Sequence, residues 1–200
     1  MPLIRKSPDT AAAAPDADLS SDSADARWAA ARAAADHPDR VPALAAALAR
    51  EGEPRVREAI FTALARIATP QSVAAALPYV RSDDAGLRTG ALDALRAMPD
   101  ATQQHLPQLL ADPDSDVRVL ACDLARVVRG AQAPRLLCTL IESEAEANVC
   151  AAAVETLTEI GDADAVPSLA RCAARFPDDP FLAFAIKIAS DQLSRHDGRG

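Results

Sequence analysis

Apolar residues return along this chain at helical spacing, and the pattern itself returns about every thirty residues. After Val56, the positions 3, 4, 7, 8 and 11 residues on are Ala59, Ile60, Ala63, Leu64 and Ile67; after Val117 they are Leu120, Ala121, Leu124, Ala125 and Val128. Such spacing lines one face of a helix, where a strand would alternate. Equivalent runs open at Ala26-Arg27, Leu87-Arg88, Val149-Cys150 and Phe181-Leu182, so successive openers are 30, 31, 30, 32 and 32 residues apart. A second helical stretch is expected after each of the first five, over 41–50, 72–81, 101–111, 132–142 and 164–175. Pro42, Pro134 and Pro167 fall in the first turn of these stretches, where a missing N–H costs nothing. Pro78 and Pro107 fall deeper, which predicts a kink in 72–81 and a late start near Pro107 in 101–111.

Each unit therefore reads as a helical hairpin, and so regular a period means stacked units. The predicted fold is all-α: an alpha-alpha superhelix of about six hairpins and about eleven helices over residues 21–194. Residues 1–20, rich in Ala, Ser, Asp and Pro without helical patterning, are expected to form a disordered tail, and 195–200 a second short tail. Leu3, Ile4, Arg5 and Lys6 make an apolar-basic cluster at the N-terminal tip, a candidate docking motif.

Composition supports this picture. Half of the 200 residues are hydrophobic yet only 3 % are aromatic, a balance that favours helices over strands. The net charge of −8 argues against nucleic acid and anionic membrane as partners, since basic surface is what draws a protein to either. No apolar run has membrane-spanning length, and the first residues lack the apolar core of a secretory signal, so a soluble cytoplasmic protein is expected. Cys122, Cys138, Cys150 and Cys172 form no CxxC pair and read as small buried hydrophobes rather than metal ligands or disulfides.

The tetratricopeptide and ankyrin signatures are absent. The stretch Asp112-Pro-Asp-Ser-Asp-Val-Arg-Val-Leu-Ala-Cys-Asp-Leu-Ala-Arg-Val-Val instead resembles the short bacterial HEAT repeats also found in phycobilisome lyase subunits. Glu53-Pro-Arg-Val-Arg-Glu-Ala-Ile-Phe-Thr-Ala-Leu-Ala-Arg-Ile is similar to them too. The resemblance covers about 22–193 and implies a HEAT-like solenoid of bacterial origin that binds another protein. It also implies an alternative, an accessory subunit of a chromophore or cofactor lyase, for which Cys122, Cys138 or Cys150 has to be reactive. A third reading is a signalling, chemosensory scaffold tethered by Leu3 to Lys6.

Two recurring residue types carry expectations of their own. An acid stands three residues before each of the last five openers, at Glu53, Asp84, Asp114, Glu146 and Asp178, where it suits a helix N-terminus. An arginine follows the first four openers, at Arg27, Arg57, Arg88 and Arg118, in the sector that neighbouring units cover. A covered guanidinium needs a partner, so these arginines are expected to pair with the recurring acids in a structural ladder that ends at Cys150 and Leu182.

Positions 2, 6, 9 and 10 after the opener are expected to line the concave groove. Position 6 runs Arg32, Thr62, Asp93, Asp123, Glu155 and Lys187, mixed signs that make no basic stripe. Position 2 runs Trp28, Glu58, Thr89, Val119, Ala151 and Ala183. Its apolar second half beside Asp123 and Glu155 is either scattered small residues or a strip that seats a partner helix. Trp28 either caps the exposed end of the core or anchors a partner. The last helix opens with Phe181-Leu-Ala-Phe, and Leu182 has no following unit to cover it. The candidate partner-binding residues are therefore Val119, Asp123, Ala151, Glu155, Leu182, Ala183 and Phe184, with a homodimer through the C-terminal helix as one way of covering the end. Catalytic chemistry is not expected: His37, His105 and His196 are scattered, no Gly-rich phosphate loop occurs, and no cofactor or metal is implied.

Overall fold

A computed structural model describes residues 18–197. The Leu3–Lys6 cluster and most of the expected tail lie outside the described residues. Twelve α-helices occur among them: α1 (Ala24–Ala33), α2 (Val41–Leu48), α3 (Pro54–Ile67), α4 (Pro70–Ala76), α5 (Ala85–Arg96), α6 (Pro99–Thr102), α7 (Leu106–Leu110), α8 (Ser115–Ala125), α9 (Gln132–Ser143), α10 (Ala147–Ile160), α11 (Val166–Arg175) and α12 (Pro180–Asp197). Because α6 and α7 are two pieces of one interrupted rod, the chain forms an alpha-alpha superhelix of paired helices. Front helices α1, α3, α5, α8, α10 and α12 stack on one another, and the second helix of each pair packs behind.

The front helices bury the same register. Val56, Ile60 and Leu64, then Val117, Ala121 and Leu124, then Val149, Ala153 and Leu157 are each no more than 1 % exposed. At the middle turn of this seam α5, α8 and α10 carry the buried alanines Ala91, Ala121 and Ala153, where α3 has Ile60. In α5 the seam is thinner still. A Cβ on Gly90 would lie 2.5 Å from the Phe61 ring of α3, so the missing side chain makes room for that ring.

The prolines act as their positions require. Pro78 turns α4 into a 3-10 segment over Leu77–Arg81, since a ring there removes a helical N–H and crowds the preceding turn. Pro107 stands in the first turn of α7, the late start expected, but the short α6 and a 3-10 turn over Gln103–His105 precede it.

Both ends of the solenoid shift from the expected bounds. Arg50 donates to the Leu19 carbonyl at 3.3 Å and Leu19 packs against the core, so the ordered fold begins before residue 21. At the other end α12 runs on to Asp197, past 194. More consequentially, the register of α12 is one residue later than the repeat spacing suggests. Asp179, not Asp178, accepts from the backbone N–H groups of Phe181 and Leu182, at 3.1 and 2.9 Å. Pro180 then occupies the first helical position as Pro54 does after Glu53. Leu182, Ile186, Ala189 and Leu193 consequently form the buried seam of the last helix, and Leu182 is only 3 % exposed.

Candidate functional site

The loops between units are built around one side chain that the repeat reading passes over. Six residues before each front-helix arginine stands Ser21, Glu51, Ser82 or Asp112, and six before Cys150 stands Glu144. Each of these side chains accepts the backbone N–H two residues on, closing the turn that leads into the helix; for Glu51, Asp112 and Glu144 the bonds are 2.9, 3.0 and 3.0 Å. The front-helix arginine donates to the same residue's carbonyl. Arg27 reaches Ser21 O at 2.8 Å, Arg57 reaches Glu51 O, and Arg88 and Arg118 reach Ser82 O and Asp112 O, each at 2.7 Å.

This geometry changes the expected ladder. Arg27 and Arg118 do pair across to the next unit, but with Glu51 and Glu144 rather than Glu53 and Glu146. Both pairs are bidentate, at 2.7 and 2.9 Å for Arg27 and 2.6 and 2.9 Å for Arg118. Only Arg57 engages one of the anticipated acids, Asp84, at 2.9 Å. Among the described residues Arg88 makes no ion pair; Asp112, which stands where its partner would, is taken by Arg81. Glu53, Asp114 and Glu146 sit at N-cap positions, where the Asp114 side chain accepts the Asp116 N–H and the two glutamates make no cap bond. The physical reason is reach: the acid two residues earlier lies under the loop, where a guanidinium already bound to that loop's carbonyls meets it fork to fork.

The ion pairs leave a signature in the ionisation. The Arg27 guanidinium holds the Glu51 carboxyl at about 2, against the opposing effect of burial, with the Glu53 N–H assisting. Burial works against the Glu144 carboxylate too, but Arg118 and the Glu146 N–H outweigh it and its pKa is lowered. At the fifth unit, where Cys150 replaces arginine, the Glu144 carbonyl is bonded instead by Arg175 from α11, which also reaches Ile141 O at 2.7 Å. The fourth and fifth units are therefore joined by a polar clamp as well as by apolar contact.

On the concave face, arginines at position 9, unremarked in the repeat pattern, link successive helices. Arg96 bridges Asp93 and Asp123, and Arg126 bridges Asp123, Glu155 and Glu159. The expected acidic margin is therefore largely neutralised from within. The anticipated apolar strip is present in altered form. Val119 and Ala151 are half-buried, Leu182 is inside the core, and Ala183 is exposed. With the register of α12 moved by one, position 2 ends at Phe184 and position 6 at Ile188 in place of Ala183 and Lys187. Phe184 and Ile188 are 66 % and 45 % exposed, and they line a groove of about 660 Å³ with Ala151, Ala152, Glu155 and Ala185 between α10 and α12. Phe181, further up α12, is 85 % exposed. A second hollow, of about 950 Å³, lies between α3 and α5 over Phe61 and Gly90.

None of the three thiols that a lyase role would call on, Cys122, Cys138 and Cys150, is activated, since each has its pKa raised. Cys122, Cys150 and Cys172 are buried, and burial pushes Cys122 up to about 12 and raises Cys138 as well, the reverse of an activated thiol. Among the described residues no three His, Cys, Asp or Glu side chains converge as metal ligands, and no helix is long and apolar enough to cross a membrane.

No curated protein matches the chain. Among solved structures, the crystal structure of an engineered protein matches at 18 % identity over 88 % of this chain and 94 % of that one, with a TM-score of 0.43. The family model for HEAT repeats matches residues 17–96 and again 102–187. With paired helices, a shared buried register and two family matches spanning most of its length, the chain belongs to the HEAT-repeat family.

Proposed function

We propose that the chain is a non-enzymatic scaffold of the bacterial cytoplasm that binds a partner protein along the C-terminal half of its concave groove and at its C-terminal end. One observation carries the reading. Phe184 and Ile188 stand exposed side by side over a groove floored by Ala151, Ala152 and Ala185. Large apolar side chains grouped in an exposed groove are what a protein interface buries. Val119 continues the strip toward the middle of the stack, and Asp123 and Glu155 flank it with charges held in place by Arg96 and Arg126. The polar rim of such a site selects the partner more than it strengthens binding.

The test is affinity capture from native lysate with the wild type and with a Phe184→Ser, Ile188→Ser variant, each bound protein being identified by mass spectrometry. Proteins held through this end disappear with the variant; an unchanged set of bound proteins rejects the site. The exposure of Phe181 beside Phe184 also supports a homodimer through α12, which sedimentation equilibrium of the same two proteins separates from partner binding. The raised pKa values of Cys122, Cys138 and Cys150 speak against the lyase reading.

A further inference from the structure

The opposite end of the groove carries different chemistry. Trp28 on α1 lies half-buried against the core, and two guanidinium groups stack on its ring: Arg32 at 4.7 Å and Arg55 of α3 at 5.5 Å from the ring centre. Arg66, three turns further along α3, lines the same hollow, which measures about 270 Å³ and is floored by Ala59 and Ala63. Arg55 and Arg66 are roughly 16 Å apart along the helix axis, the rise of eleven helical residues. Glu58 is the one acid of the lining. Asp25 and Asp36 sit outside the lining, in ion pairs with Arg55 and Arg66 whose carboxylates are 84 % and 74 % exposed. Among the described residues Arg32 has no carboxylate partner.

From these residues we infer a binding site for an acidic peptide segment in the trough between α1 and α3. A guanidinium stacked on an indole keeps its plane fixed and its N–H edges turned outward, so it is oriented to meet a carboxylate. The surface pairs with Asp25 and Asp36 are weak and exchange readily for a ligand's carboxylates. The trough between the outer arginines holds about five extended residues, enough for acidic side chains at both ends and an apolar one against Trp28, Ala59 and Ala63. At position 6 the third, fourth and fifth units carry Asp93, Asp123 and Glu155, so Arg32 is the basic exception among the charged residues there, in a protein of net charge −8. Capping of the core accounts for the indole but not for two guanidiniums stacked on it with a third, Arg66, at the other end of the same hollow. The site is separate from the C-terminal groove and holds whether or not that groove binds a protein.

The chain contains a single tryptophan, so Trp28 itself reports occupancy. The probe is a fluorescein-labelled peptide of alternating Glu, Asp and Leu, titrated into the full chain, with the Gln and Asn counterpart as control. Expected are a saturable rise in anisotropy, a matching change in Trp28 emission, and loss of binding as salt is raised. Arg32→Glu with Arg66→Glu lowers the affinity at least about tenfold, while charge reversal at the exposed Arg129, outside the trough, leaves it unchanged. Should the double variant melt early, Arg32→Gln alone gives the same readouts, since among the described residues that side chain makes no hydrogen bond or ion pair and only stacks on Trp28. Equal binding of the neutral peptide, equal binding by the variants, or a silent Trp28 overturns the proposal. So does binding confined to a phosphoserine peptide or to phosphatidylserine vesicles.

Discussion

Glu51 and Glu144 are 7 % exposed, and a carboxylate buried to that degree stays charged only when its oxygens are matched. Arg27 and Arg118 supply two bonds each, and the loop N–H groups supply another. For Glu51 the folded value of about 2 lies below the ordinary 4.5, so its contribution is fully present above about pH 4.5 and is lost as pH falls toward 2. Glu51→Gln keeps the size of the side chain and removes the charge; it should cost about 2 kcal/mol at neutral pH. Thermal midpoints of wild type and variant across pH 7 to 2 should converge below pH 4.5, and a gap that stays constant to the acid end would show that charge pairing is not what Glu51 contributes. The arginine row was legible because a repeated charge in a covered sector demands a partner. Its partner was not. Glu51 and Glu144 recur at only some units, with Ser21 and Ser82 in the same place, because a loop-closing acceptor is satisfied equally by hydroxyl or carboxylate.

Helices were the most legible level, because the 3.6-residue pattern is local and the alanine-rich seam repeats it without interruption. The start of α12 shows where local reading needs a second signal. Asp178 and Asp179 both suit a helix cap, and repeat spacing favours the first by one residue. Pro180 decides the matter, since a proline at the first helical position follows its cap directly, as Pro54 follows Glu53. That single step exchanges the roles of neighbouring residues, moving Leu182 into the core and turning Phe184 and Ile188 to the surface. Leu182→Ala should therefore destabilise by about 3 kcal/mol, as a buried leucine does when truncated. Phe184→Ser should change stability by less than about 0.5 kcal/mol. Urea unfolding of the two variants checks the register, and the reverse order of stabilities would restore the earlier one. The bridges of Arg96 and Arg126 were illegible for a different reason. Their partners lie about one repeat away in sequence, and only the stacking of helices brings them together.

A solenoid's stability is a sum over units and the junctions between them, so its weakest junction sets how far cooperativity extends. The front helices pack closely from α1 through α5 and again from α8 through α12, while α5 and α8 meet over the shortest stretch. At that junction Arg88 lacks the interunit carboxylate that Arg27, Arg57 and Arg118 have, and the α6–α7 rod behind it is broken. The two HEAT-repeat matches, 17–96 and 102–187, fall on either side. The halves share one continuous apolar core, and two ion pairs also bridge them, Arg81 with Asp112 and Arg96 with Asp123. Such partly exposed pairs weaken with salt, whereas apolar junctions do not. Leu157→Ala removes a fully buried side chain from α10, in the C-terminal half, at a cost of about 3 kcal/mol. In urea with 0.5 M NaCl the far-UV circular dichroism midpoint of this variant should fall. Trp28 emission, which reports the first unit, should keep its wild-type midpoint. At low salt these two ion pairs are stronger, and the Trp28 transition should be drawn toward the dichroism curve. If the two probes shift together in both salts, the six units fold as one block, and the groove is a single rigid surface rather than two halves joined at α5 and α8.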